Sequence, residues 1–283
     1  MRKAHVTSWD FVHGTDITSP DNPDNSEYTH KILAEGDSWF SLGAIPTSNF
    51  LFPMKFNHAA ITVNCATPGD TTRNMMDITE NQNLKDAMST GFGYSWDLIL
   101  FSGGGNDLID DAGKIVVRRT GNPSDITAYC DDAKLQKTLN DISDGYHTLI
   151  DLRDKAGSSC QGKPIVTHTY DFVTPRNSPA RFFGGKLFGP WMYKVFKANA
   201  VPKARWNDLS DYLIGELGLM IKGLATGANR LPDFHVVDTQ NTLIPAELDD
   251  PDESNDWMNE IHPSSDGYKK LAGKVSAKAR RLL

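Results

Sequence analysis

The sequence has few cysteines, no long apolar run and no broad basic region. Its three cysteines, Cys65, Cys130 and Cys160, are odd in number and lack the spacing of metal ligands. No apolar run is long enough to cross a bilayer, and the N-terminus, MRKAHVTSWDFV, lacks the apolar core of a secretory signal. These absences predict a reduced, cytoplasmic protein without a membrane span. Export without a cleaved leader stays open.

The charge balance is acidic. The formal net charge is -7 and the pI is about 5.6, and the only basic run is KARRLL at the C-terminus. Because phosphate backbones bind cationic faces, nucleic acid is excluded as the main partner. The 283 residues, 39% hydrophobic and 23% charged, are typical of a globular protein. We expect one domain over 1–283, with 1–30 as a surface arm.

Five short apolar runs predict the strands of an open parallel sheet, because strands buried on both faces are continuously apolar or rich in β-branched residues. They are KILAE (31–35), AAITVNC (59–65), DLILFSG (97–103), PIVTHTY (164–170) and FHVVDT (234–239). Apolar residues at three- and four-residue spacing predict helices over the sets Leu135 to Leu149, Leu213 to Leu224, and Tyr268 to Ala279. Strands alternating with helices predict an α/β fold with right-handed crossovers.

Chemically active residue types follow the strands at one edge of the predicted sheet, where ligands bind in open parallel sheets. Ser38 follows the first strand, Gly69 the second and Asn106 the third, and His262 lies just before the last helix. Serine is a weak nucleophile unless a base takes its proton, and His262 is the candidate base. The backbone N–H groups of Ser38 and Gly69 and the side-chain amide of Asn106 are candidate donors to an oxyanion. Together these residues predict acyl transfer.

In this order the motifs resemble the four blocks of the SGNH/GDSL hydrolases. The matching residues are Gly36-Asp37-Ser38, Gly69, Gly104-x-Asn106-Asp107 and the late His262. The resemblance implies a flavodoxin-like, three-layer αβα fold with a five-stranded parallel sheet. It also implies hydrolysis of small-molecule or lipid esters without a metal or other cofactor. Ser38 would be the nucleophile and first oxyanion donor, Gly69 and Asn106 the further donors, and His262 the base.

One position departs from the family pattern. The family usually has aspartate three residues before the histidine, and this chain has Asn259. Asparagine accepts a hydrogen bond from the imidazole N–H but offers no charge. Asn259 is the favoured orienting residue, and Asp256 or a backbone carbonyl are the alternatives. Glu260 would reach the histidine only from an extended segment.

Three functions follow from this pattern. The first is a serine esterase or lipase, the second a lysophospholipase or thioesterase acting on acyl chains, and the third a catalytically weak ligand-binding relative, suggested by Asn259. The connections 107–131 and 172–205 are long enough to be functional, and 172–205 is interpreted as a cap. His168 and Asp171 are predicted to form a hydrogen-bonded pair near the site rather than a metal site.

Overall fold

The computed structural model describes residues 1–12, 14–41, 48–77, 81–120, 123–181 and 187–283. Its centre is a six-stranded sheet in which all neighbouring strands run parallel. Two short two-stranded antiparallel pairs lie outside this sheet. The strands are β1 (Arg2–Lys3), β2 (His5–Ser8), β3 (His30–Gly36), β4 (Lys55–Phe56), β5 (Ala60–Asn64), β6 (Leu98–Ser102), β7 (Ile165–His168), β8 (Ala180–Arg181), β9 (Leu187–Phe188) and β10 (Phe234–Val237).

The order of strands in the main sheet is β10-β7-β6-β3-β5-β2. β3, β5 and β6 are each almost or entirely buried, as strands covered by helices on both faces must be. The helices are α1 (Trp9–Val12), α2 (Thr72–Met76), α3 (Gln82–Ala87), α4 (Gly105–Ile115), α5 (Asp132–Asp154), α6 (Met192–Ala198), α7 (Trp206–Gly223) and α8 (Ser265–Ala279).

The helices form layers on the two faces of the sheet. α5 contacts α2, α4 and α7, so these four lie together in one layer. α8 contacts β7, β10 and β4 and covers the other face. No helix in the described parts of the chain is both long and apolar enough to cross a bilayer. The three-layer α/β architecture confirms the predicted fold class.

The predicted number of strands is wrong by one. The sixth strand, β2, pairs in parallel with β5 at the edge of the sheet, and Trp9 and Val12 directly after it are buried. This part of the predicted surface arm therefore belongs to the sheet and core. The sequence HVTS did not indicate a strand because an edge strand of four residues lacks a continuous apolar run.

The two long connections are also more ordered than a loop. The connection 107–131 contains most of α4, which buries Leu108, Ala112 and Ile115 at helical spacing. It was missed because the helix begins at a glycine run, with Gly104 at a φ of 105°. The connection 172–205 contains β8, β9 and α6. Residues 182–186 of the predicted cap lie outside the described residues.

Candidate active site

The turn after β3 presents Ser38 at the carboxyl edge of the sheet. Gly36 is required at this point because a Cβ would lie 2.8 Å from both the Cβ and the carbonyl oxygen of Ser102 on β6. The Asp37 N–H donates to that same carbonyl at 3.1 Å. The close approach of the two strand ends therefore fixes the direction in which the chain turns.

Ser38, His262 and Asn259 lie in a hydrogen-bonded line. The Oγ of Ser38 is 2.7 Å from Nε2 of His262, and Nδ1 of His262 is 3.0 Å from Oδ1 of Asn259. All three residues are at least nine-tenths buried. Because Oδ1 can only accept, the proton of the neutral ring lies on Nδ1, and Nε2 is left to accept the Ser38 hydroxyl proton.

The protonation state of His262 suits a base. Burial lowers the pKa of His262 to about 4, so the ring is neutral at pH 7. The backbone N–H groups of Ile261 and His262 also donate to Oδ1 of Asn259, at 3.1 and 3.0 Å. Together with Nδ1–H of His262, these N–H groups give Oδ1 three hydrogen bonds, which hold the neutral asparagine side chain in place.

The candidate oxyanion donors lie around the same cavity as Ser38. Gly69 has a φ of 86°, a left-handed conformation in which glycine is unstrained. The side-chain amide of Asn106 donates one hydrogen to the Asp70 carbonyl at 2.9 Å, which leaves its second hydrogen for a ligand. Neither the Ser38 nor the Gly69 N–H donates to an acceptor within the part of the chain that the structure describes. Both groups can therefore donate to a bound oxygen.

The cavity has a volume of about 450 Å³ and combines these polar groups with an apolar wall. Ser38, Gly69, Asn106 and His262 all line it. The other lining residues are Pro68, Asp110, Phe188, Gly189, Trp191 and Ile261. This combination of a few convergent polar groups with apolar surface is typical of small-molecule sites.

Asp256, the acidic alternative to Asn259, and the neighbouring Glu260 both bind other partners. The Asp256 carboxylate accepts from Nζ of Lys270 at 2.6 and 2.8 Å and from the Ile244 N–H at 2.7 Å. Glu260 accepts from the Trp191 N–H and, at 2.7 Å, from the Tyr193 N–H. Asp256 therefore anchors α8, and Glu260 joins the residues at the start of α6 to the loop that carries His262.

Sequence patterns did not reveal the contact between Glu260 and the start of α6. Glu260 is 1% exposed, and burial raises its pKa to about 7 although both N–H groups favour the charged form. The contact places the Trp191 ring edge-on to the His262 ring, with their centroids 5.8 Å apart. The sequence carries no signal for this contact, because glutamate is usually exposed and the two N–H donors lie far from Glu260 along the chain.

A second buried network lies behind the turn after β3. The Asp37 carboxylate accepts from the Tyr170 hydroxyl, from the Trp39 N–H at 2.9 Å and from Oγ of Ser102 at 3.2 Å. Oγ of Ser102 also lies 3.0 Å from Nε2 of His168. Burial raises the pKa of Asp37 to about 6 and lowers the pKa of His168 to about 4. These buried side chains support the turn that carries Ser38, and none of them lines the cavity of about 450 Å³ around Ser38.

The predicted pair of His168 and Asp171 is wrong. The Asp171 carboxylate instead accepts from the backbone N–H groups of Asn241, Thr242 and Leu243. Within the described ranges, no group of three or more histidine, cysteine, aspartate or glutamate residues is arranged to hold a metal ion.

A family model identifies the chain. The model described as GDSL-like Lipase/Acylhydrolase matches residues 14–275. The chain belongs to this family. In this GDSL-like acylhydrolase, the match spans the turn after β3 and the loop that carries His262. Among curated proteins, none matches.

Solved structures of other proteins are similar to this chain at low sequence identity. The aryl esterase of M. smegmatis is 16% identical, with 90% of this chain and 100% of that chain covered and a TM-score of 0.46. A putative arylesterase from Agrobacterium tumefaciens is 12% identical, with the same coverage and a TM-score of 0.48. Est24, a carbohydrate acetylesterase from Sinorhizobium meliloti, is 12% identical, with the same coverage and a TM-score of 0.45. At these values the resemblances carry no information on the substrate of this GDSL-like protein.

Proposed function

We propose that the protein is a serine hydrolase that cleaves carboxylic esters through an acyl-enzyme on Ser38. The observation that carries the proposal is the line from Ser38 through His262 to Asn259 at the wall of an open cavity. A hydroxyl 2.7 Å from a neutral imidazole nitrogen is a nucleophile with its base in place.

The first half of the reaction forms the acyl-enzyme. Oγ of Ser38 attacks the ester carbonyl carbon while its proton passes to Nε2 of His262. The carbonyl oxygen becomes an oxyanion, which accepts hydrogen bonds from the Ser38 N–H, the Gly69 N–H and the Asn106 side chain. The tetrahedral intermediate collapses, the C–O bond of the ester breaks, and His262 gives its proton to the leaving alcohol.

In the second half of the reaction, the same groups hydrolyse the acyl-enzyme and regenerate free Ser38. A water molecule gives a proton to Nε2 of His262 and attacks the acyl carbon. The resulting intermediate expels Oγ of Ser38, which takes the proton back, and the carboxylic acid leaves. Asn259 holds Nδ1 in both halves, so the ring keeps the tautomer in which Nε2 accepts. No step requires a metal or another cofactor.

A covalent probe tests this proposal against a catalytically weak binder. A fluorophosphonate should label the folded protein at Ser38, located by mass spectrometry of the digested adduct. Ser38→Ala and His262→Ala should each lower ester hydrolysis by about 10⁴-fold or more, and Ser102→Ala, a buried serine away from the cavity, serves as the labelling control. If the fluorophosphonate does not label Ser38 in folded protein, the chain is a catalytically weak ligand-binding protein.

Acyl-chain esters and thioesters form a second candidate substrate class. The apolar side chains of Pro68, Phe188, Trp191 and Ile261 line the cavity beside Ser38 and provide a surface on which an alkyl chain can be buried. A panel of p-nitrophenyl esters and matched thioesters of increasing acyl length distinguishes the classes. A kcat/KM that is highest for acetyl and falls with each added methylene would exclude the acyl-chain class.

A further inference from the structure

After Asp171, the connection between β7 and α7 carries only basic charge. From residue 172 to residue 207 the sequence has seven lysine and arginine residues and no aspartate or glutamate, whereas the whole chain has a net charge of -7. A one-sign segment in a chain of opposite sign produces a local field that composition alone does not reveal.

Three of these seven cations have partners elsewhere, and a fourth is not described. Arg176 is buried and donates to the carbonyls of Asp250, Asp252 and Trp257. Lys203 and Arg205 form ion pairs with aspartates outside the segment. Lys186 lies outside the described residues. Arg181, Lys194 and Lys197 remain, and none of the three pairs with a carboxylate in the described parts of the chain.

Of the three remaining cations, Arg181 lies in the β8–β9 pair and Lys194 and Lys197 lie on α6. Arg181 is the direct cross-strand partner of Leu187, so the two side chains lie on one face of the pair. Nζ of Lys194 donates to the Gly189 carbonyl at 2.5 Å. Lys197 lies one helical turn further along α6. All three cations are exposed.

Two exposed apolar side chains, Leu187 and Phe188, belong to the same β8–β9 pair. Leu187 is 59% exposed and Phe188 is 50% exposed. Among the exposed large apolar residues of the described chain, these are the only two that are adjacent in sequence. Phe188 also lines the cavity that contains Ser38. Because successive side chains of a strand alternate between its two faces, Leu187 shares the face of Arg181 and Phe188 lies on the face that reaches the candidate active site.

We propose that Arg181, Leu187, Phe188, Lys194 and Lys197 form a docking surface for an anionic lipid bilayer. Exposed apolar side chains enter the boundary between headgroups and acyl chains, and the surrounding cations contact anionic headgroups. A nucleic acid or an acidic protein would use the cations but would leave Leu187 without a role. Asp110 lines the same cavity, so the basic surface is confined to the β8–β9 and α6 side.

Docking on this surface would bring the mouth of the cavity to the bilayer. The inference goes beyond the proposed esterase function and does not require it, because docking uses no atom of Ser38 or His262. Binding can therefore be measured with Ser38→Ala protein. If that variant binds vesicles, the docking proposal stands even when the esterase proposal fails. If it does not bind vesicles, the esterase proposal is unaffected.

Co-sedimentation with vesicles tests the docking surface. We expect the full chain to sediment with vesicles of phosphatidylcholine mixed with phosphatidylglycerol, and far less with phosphatidylcholine alone or at high salt. Lys197→Glu reverses one charge and should lower the partition coefficient about tenfold or more, and Leu187→Ser should lower it about fivefold. The matched controls are Leu219→Ser, at a leucine that is 60% exposed, and Lys155→Glu, at an exposed lysine at the end of α5.

Three results would overturn the proposal. The first is no binding of the wild-type chain to the mixed vesicles at low salt. The second is an equal loss of binding in the control variants and in Leu187→Ser and Lys197→Glu. The third is binding of single-stranded DNA as tight as that of the vesicles and unaffected by Leu187→Ser, which would identify a polyanion site. Circular dichroism and thermal midpoints of all four variants separate lost binding from lost folding.

Discussion

Oδ1 of Asn259 lies 3.0 Å from Nδ1 of His262, at the position where the family usually has a carboxylate. The asparagine side chain is neutral, and its Oδ1 also accepts hydrogen bonds from two backbone N–H groups. The geometry of an orienting residue is therefore retained while its charge is absent.

Replacing Asn259 by aspartate restores that charge without changing the shape. A carboxylate oxygen can accept the same three bonds, and a charge-assisted bond is roughly twice as strong as a neutral one. We expect kcat/KM of Asn259→Asp to equal that of wild type or to rise by up to about tenfold. Steady-state hydrolysis of a soluble p-nitrophenyl ester measures it, and a fall of more than tenfold in folded protein would contradict the assignment.

The same variant should move the acid limb of the pH profile. Because burial lowers the pKa of His262 to about 4, the wild-type ring stays neutral and kcat/KM is lost only as the pH falls through that value. A carboxylate at position 259 favours the imidazolium and raises the pKa of His262. The acid limb of the Asn259→Asp profile is therefore expected at higher pH than that of wild type. Identical acid limbs in the two proteins would show that residue 259 does not influence the pKa of the His262 ring.

Asp256→Ala should affect stability rather than catalysis. The substitution removes the ion pair with Lys270 and leaves the Ile244 N–H without its acceptor, which costs about 1–3 kcal/mol of unfolding free energy. We expect kcat/KM within about threefold of wild type, with Glu253→Ala as the exposed acidic control. Urea denaturation and kinetics give the two quantities. A collapse of kcat in folded Asp256→Ala would instead make Asp256 the residue that orients His262.

Glu260→Gln should loosen the wall of the cavity. Glutamine retains one acceptor oxygen but directs an NH₂ group at the second backbone donor, so one of the bonds to Trp191 and Tyr193 is lost. We expect KM to rise several-fold, with the exposed Glu247→Gln as the control. In a double-mutant cycle with Trp191→Ala, the effect of Glu260→Gln should shrink. Strict additivity would mean that Glu260 does not act through Trp191.

Glu35→Gln should flatten part of the dependence of stability on pH. Burial raises the pKa of Glu35 from 4.5 to about 8, so between these values the folded state holds a proton that the unfolded state has released. Wild-type stability should fall with rising pH in this window by about 1.4 kcal/mol per pH unit from this group. Glutamine mimics the protonated acid, accepting a bond from Gly36 or Asn81.

Denaturation curves of wild type and Glu35→Gln at several pH values check this difference. The gap in unfolding free energy should widen in favour of the variant up to about pH 8 and stay constant above it. Asp37 and Glu260 also have raised pKa values, about 6 and about 7, and their contributions remain in both proteins. Parallel curves across the window would show that the pKa of Glu35 is not raised.

Much of the fold was predictable because the signals are local. The five apolar runs correspond to β3, β5, β6, β7 and β10, and the three amphipathic patterns to α5, α7 and α8. Continuous burial produces an apolar run, and a single buried face produces the helical spacing, so sequence alone is sufficient for these elements. β2 and α4 were missed because one is a short edge strand and the other begins at Gly104-Gly105.

The sequence alone determined that each site residue follows a strand or precedes a helix, because the residues that flank it already specify that strand or helix. Which of Asn259, Asp256 or a backbone carbonyl lies within hydrogen-bond distance of Nδ1 of His262 was decided only by the tertiary structure. The Asn259 and Asp256 side chains can both accept hydrogen bonds, and which donor each one meets depends on how His262 and Lys270 pack beside the loop. Local spacing limits which partners are possible, and long-range packing selects among them.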